Sequence, residues 1–267
     1  MDATLQRASA PALFYQIEGM PIGRASPAVV LIHGVGADGS SWDEIVPALA
    51  SQFSVIRLDL RGHGRSGNVE GPLVLDDFAR DVVDVLDAAG AARAHVVGFS
   101  LGGMIAQALG LDYAAHVDRL VLLSAVAGRT EQERARVRER LEILRTQGIG
   151  AITGAAQDRW FTAGFIERHP ELVRERMEQL QRNHAPSYAA AYTVFSTSDL
   201  GERLHAIRKP TLVATGEHDV GSNTRMARFM QAQIPGAELQ ILPGLKHSVL
   251  VEAPETIAAM LLEFLAS

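Results

Sequence analysis

The chain has 267 residues, 47% of them hydrophobic, enough for one large α/β domain with a sizeable core, which excludes general disorder. The net charge is -6, with no basic stretch free of acidic neighbours, which argues against nucleic acid as a partner. The absence of cysteine excludes disulfides, thiolate metal sites and cysteine nucleophiles, and no apolar run reaches the length of a membrane span. Met1–Ala10 carries Asp2, Gln6 and Arg7, unlike a secretory leader. The expectation is a cytoplasmic protein acting on a small molecule, as a monomer or homo-oligomer, with no membrane partner, metal or cofactor.

In chain order, Leu13–Ile17 alternates as an early strand at a sheet edge, followed by a turn through Gly19, Pro21 and Gly23. Ala28–Ile32 is a continuous apolar run, the mark of a strand buried on both faces of a parallel sheet. It runs into His33-Gly34-Val35-Gly36-Ala37-Asp38-Gly39, a glycine-rich loop that enters a helix near Ser41. Ser54–Leu58 is the next strand. Phe78, Val82, Val85 and Leu86 have helical spacing within Leu75–Ala89, which stops at Gly90. His95–Phe99, a helix to about Tyr113, and Arg119–Leu123 continue the alternation, which implies right-handed crossovers and a parallel sheet. From 127 to 204 the rhythm stops. The segment is charged, nearly balanced in sign, helical in pattern and free of strand signals. It reads as a helical cap over the carboxyl edge of a core made of residues 1–126 and 205–267. Strand signals return at Thr211–Thr215 and Leu239–Leu242, with helices at Asn223–Gln233 and Pro254–Leu265.

The most informative stretch is Val96-Val97-Gly98-Phe99-Ser100-Leu101-Gly102-Gly103. A buried strand meets a helix at Gly-x-Ser-x-Gly, the nucleophile-elbow pattern. So tight a turn forces Ser100 into a strained, left-handed backbone conformation, and a Cβ at Gly98 or Gly102 would hit the neighbouring strand or helix. The hydroxyl then stands clear of the backbone beside the N–H groups of a new helix, where an oxyanion can form.

The turn resembles the elbow of α/β-hydrolases, in which the partners of the serine follow in the order acid, then histidine. Among the later histidines, His247 stands just past the last strand, on the edge where open parallel sheets carry their sites. Asp219, at the end of the strand before it, is the acid, with Glu217 the nearest rival. The oxyanion donors are the N–H groups of Leu101 and Val35. His33 and the segment Asp59–Ser66 read as structural braces rather than proton carriers.

Taken in order, His33-Gly34, Gly98-Phe99-Ser100-Leu101-Gly102-Gly103, Gly216-x-x-Asp219 and His247 resemble the α/β-hydrolase superfamily over nearly the whole chain. The resemblance implies a mostly parallel sheet flanked by helices. Serine at position 100 sets the chain apart from epoxide hydrolases and haloalkane dehalogenases, which have aspartate there. His33–Asp38, Ser100–Gln107 and Arg159-Trp160-Phe161-Thr162 are similar to 3-oxoadipate enol-lactonases, which implies a small carboxylated enol-lactone as substrate. The expected activity is serine-dependent hydrolysis of a small ester or lactone. A carbon–carbon bond hydrolase of ring-cleavage products and a ligand-binding receptor of the same fold are the alternatives. An anionic substrate under the cap would need a planar, bidentate donor. Arg159 is the candidate, with Trp160 as a wall against water; the competing role for Arg159 is an ion pair with Asp158 or Glu167.

Overall fold

The computed structural model describes residues 1–8, 10–23 and 27–267. The chain begins with strands β1 (Asp2–Leu5), β2 (Leu13–Gly19) and β3 (Ala28–Ile32), helix α1 (Val46–Ala50) and strand β4 (Ser54–Leu58). Helix α2 (Leu75–Ala89), strand β5 (Ala94–Phe99), helix α3 (Leu101–Asp112) and strand β6 (Val117–Leu123) follow. Five helices come next: α4 (Glu131–Gln147), α5 (Gly150–Trp160), α6 (Ala163–Arg168), α7 (Pro170–Gln181) and α8 (Ala185–Thr197). The chain closes with β7 (Thr211–Gly216), α9 (Thr224–Gln233), β8 (Glu238–Leu242), α10 (Val249–Glu252) and α11 (Pro254–Ala266).

The strands form one eight-stranded sheet in the order β1-β2-β4-β3-β5-β6-β7-β8. The β1–β2 and β2–β4 pairs are antiparallel, and every other pair is parallel. This is the α/β-hydrolase arrangement expected from the sequence. One expectation needs correction: Leu13–Ile17 is not at the edge. β1 pairs outside it through four residues whose side chains are exposed or half-buried, too short and polar to read as a strand. The helix expected near Ser41 is a single 3-10 turn, Gly39–Trp42, capped by the Asp38 side chain.

The continuous apolar strands follow from burial on both faces. Successive side chains of β3 point to opposite sides. Val30 and Ile32 join Phe78, Val82, Ile105 and Leu109 of α2 and α3 on one face. Val29 and Leu31 meet Trp42, Leu49, Leu261 and Leu265 on the other. A polar residue at any of these positions would be stranded without a partner. The α4–α8 helices have an apolar cluster of their own, built from Leu141, Leu144, Phe161, Leu180 and Tyr188. Val35 and Val251, from loop and helix at the sheet's carboxyl edge, pack against it. Among the described residues no helix is long and apolar enough to cross a membrane.

Candidate active site

β5 gives way to α3 with one residue between them. Ser100 has φ 56° and ψ -113°. The positive φ matches the expected strain, but this ψ lies outside the left-handed helical well as well, a conformation that persists only when its surroundings impose it. The two glycines are those surroundings. A Cβ on Gly98 would lie 2.1 Å from the Gly102 carbonyl oxygen, and one on Gly102 would lie 2.2 Å from that of Ile32. Both obstacles are backbone and cannot rotate away. Gly102→Ala is therefore expected to destabilise the fold by about 1–3 kcal/mol or more, read as a shift in the denaturant midpoint. A midpoint equal to wild type would show that the helix can retreat from β3.

The acid–base pair is assembled by a second close approach. A Cβ on Gly216, at the end of β7, would lie 2.1 Å from the Lys246 carbonyl oxygen. His218 N–H donates to the Leu245 carbonyl at 2.8 Å, which locks the two loops together. Asp219 is buried, and its Oδ2 receives His247 Nδ1 at 2.7 Å. Its Oδ1 accepts the N–H groups of Gly221 at 2.8 Å and Ser222 at 2.9 Å. Burial pushes the Asp219 carboxyl up. The charge of His247 and the three hydrogen bonds outweigh burial and hold it below its ordinary value, so the group is a carboxylate. Glu217 instead points to solvent and accepts the Gly244 N–H at 2.9 Å. With Nδ1 engaged by Asp219, His247 has Nε2 left for proton exchange. Phe99 and Trp160 flank the imidazole at ring-centre distances of 5.0 and 6.5 Å. Ser100 and His247 line the same cavity, and no hydrogen bond joins them among the described residues. Such bonds commonly tighten only when substrate is bound.

The loop after β3 folds back on the elbow. A Cβ on Gly34 would lie 3.1 Å from Ser100 Cβ, a close contact that brings the loop against the elbow. The next N–H, that of Val35, and the N–H of Leu101 at the start of α3 have no acceptor among the described residues. Helix starts leave such donors free. His33 braces the loop as expected: buried, it meets the Gly34 carbonyl through Nδ1 at 2.7 Å and accepts the Leu60 N–H on Nε2 at 2.9 Å. Burial lowers its pKa, in keeping with a neutral ring.

Two holders of this loop were not anticipated. Asn183 Nδ2, just past α7, donates to the Gly36 carbonyl at 2.9 Å, and Gln179 Nε2 on α7 donates to Asp38 Oδ2 at 2.7 Å. Gly36 has φ +78°, and a Cβ there would lie 2.7 Å from both Leu180 and Tyr188. The loop after β3 is thus fastened to helices more than a hundred residues away in sequence. No local pattern announces such a bond.

Ser100, His247 and the Val35 loop open onto a cavity of about 120 Å³, roofed by the helices inserted between β6 and β7. Arg159 and Trp160 both line it. Arg159 makes no ion pair with Asp158 or Glu167, and the Trp160 carbonyl accepts the Ser248 N–H at 2.9 Å, beside His247. Arg140 and Arg176 also reach the cavity and were missed, because arginines on charged helices read as solvent-facing. Among the described residues no cluster suited to a metal ion exists.

The chain matches the profile of the alpha/beta hydrolase family over residues 29–260. It is 29% identical to 3-oxoadipate enol-lactonase 1 of Acinetobacter baylyi, over 91% of this chain and 90% of that one. Among solved structures, a hydrolase from Pseudomonas aeruginosa PA01 is 30% identical, with a TM-score of 0.91 over 100% of this chain and 98% of that one. The enol-lactonase from Burkholderia xenovorans LB400 is also 30% identical, with a TM-score of 0.90 over 96% and 97% of the two chains. With its sheet order, elbow and matched residues in agreement, the chain belongs to the alpha/beta hydrolase family and is a hydrolase.

Proposed function

We propose that the protein is a serine hydrolase that cleaves a small ester or lactone through an acyl-enzyme on Ser100. The observation that carries this reading is the convergence of Ser100, His247 and Val35 on one small cavity, with the unpartnered N–H of Leu101 next to Ser100 at the start of α3. Ser100 Oγ attacks the carbonyl carbon while His247 Nε2 takes its proton. Asp219 holds the ring in the tautomer that leaves Nε2 free and stabilises the imidazolium as it forms. The developing oxyanion sits between the Val35 and Leu101 N–H groups, on the start of α3. His247 returns the proton to the departing oxygen, and a water activated by the same nitrogen then releases the acid. With a lactone, the departing oxygen remains tethered to the acyl chain, and the second step releases both as a single product. A receptor that only binds its ligand has no use for a histidine oriented by a buried carboxylate. A serine-directed phosphonate should add its mass to the wild type at Ser100, and a panel of small esters and lactones, an enol-lactone included, should contain a substrate. A protein that neither reacts with the phosphonate nor turns over any member of the panel would refute the proposal.

Arg159 fits the role of holding a substrate carboxylate, with Trp160 excluding water beside it. Arg159→Met is then expected to cost about 2–3 kcal/mol in kcat/KM for a carboxylated ester and little for its neutral isostere. Equal losses on the two substrates would make Arg159 structural.

A further inference from the structure

Three of the inserted helices each bring a guanidinium group to the cavity: Arg140 from α4, Arg159 from α5 and Arg176 from α7. Among the described residues, the only carboxylate on the cavity wall is Asp219, already held by His247. None of the three arginines has an ion-pair partner among the described residues. Arg140 donates from Nε to the Tyr192 hydroxyl at 3.1 Å, which leaves its two terminal nitrogens free. Arg176 donates one terminal N–H to Gln179 Oε1 at 3.0 Å. Arg159 has no hydrogen-bond partner at all among the described residues.

The same fold treats other shielded arginines differently. Arg61 reaches both oxygens of buried Asp81 at 2.6 Å, and Arg57 is held by Glu18 at 2.8 Å and by Asp43. At the cavity, burial disfavours the charge on Arg159, and the like charge of Arg140 acts in the same direction. Positive groups turned toward one another in a mostly apolar space cost free energy unless an anion lies between them. Arg176 already shares an N–H with Gln179, and a single carboxylate would still leave one of Arg140 and Arg159 uncompensated. Arg140 and Arg159 reach in from different helices, α4 and α5, so each can hold a carboxylate of its own.

We infer that the cavity takes a dicarboxylate: a substrate with one carboxylate on Arg159, a second on Arg140, and its scissile carbonyl over Ser100. The position of the carbonyl rests on the hydrolase reading; the charge of the ligand rests on the arginines alone. Binding can therefore be tested without turnover, by calorimetry at fixed ionic strength with valeramide, valerate and glutarate, a series of similar size with none, one and two charges. In the wild type each added carboxylate should tighten binding by about 10- to 100-fold. Arg140→Met should erase the step from valerate to glutarate while keeping the step from valeramide to valerate, and Arg140→Lys should restore part of it. A merely structural role would weaken all three ligands alike. The wild-type series needs no variant to fold. Glutarate no tighter than valerate, or a glutarate step that survives both Arg140→Met and Arg159→Met, would overturn the inference. Tighter binding of propyl phosphate than of glutarate would do the same, by pointing to one dianionic head group. A protein that binds glutarate but hydrolyses no ester would defeat the hydrolase reading alone.

Discussion

Ser100→Ala is expected to reduce turnover of any ester or lactone substrate by about a millionfold, to the level that remains when a catalytic triad loses its nucleophile. The fold should be unchanged, because alanine is smaller and the Ser100 hydroxyl forms no hydrogen bond among the described residues. Alanine does inherit the positive φ, but this backbone is imposed by the contacts of Gly98 and Gly102 rather than by the serine side chain. Single-turnover kinetics on the purified variant, with its melting midpoint as a control, make the measurement. Near-normal turnover in a folded Ser100→Ala protein would exclude the acyl-enzyme.

Asp219→Asn is expected to lower kcat by about 10,000-fold, because an amide facing Nδ1 favours the tautomer with the proton on Nε2, where the base is needed. Glu217→Gln should do little: its carboxylate lies outside the cavity lining, on the Gly244 N–H. Reversed effects would mean that the wrong acid has been chosen. The Asp219 change also carries a signature in stability. A carboxyl group whose folded-state pKa is lowered contributes stability above its ordinary range, and this is lost as pH falls through the lower folded value. The gap in unfolding free energy between wild type and Asp219→Asn should therefore be wider near about pH 7 than near about pH 3. A gap that does not change with pH would mean that the Asp219 ionisation is not coupled to folding.

What could be read in the chain is what short-range physics writes there. A strand buried on both faces is largely apolar, so Ala28–Ile32 and the elbow strand, with its Val96-Val97 run, announce themselves in five or six residues. The elbow is equally local, since its glycines are required by contacts two residues either side of Ser100. The pairing of Asp219 with His247 could be read from sequence order because a parallel sheet brings its strand ends to one edge. β1 escaped because four residues with alternating, partly exposed side chains carry no burial pattern. Arg140, Arg176, Gln179 and Asn183 escaped for another reason. Each sits in a polar stretch that resembles a solvated surface, and only the packing of the inserted helices turns these side chains toward the cavity or the oxyanion loop.

The bonds from Asn183 and Gln179 to the loop after β3 bear on how the cavity can open. Any movement of α7 away from the sheet that widens the entrance must first part these side chains from Gly36 and Asp38. The loop bearing the Val35 N–H would then lose its outer support at the moment the cavity meets bulk water. Opening at α7 and support of the Val35 N–H are thus alternative arrangements of the same two bonds.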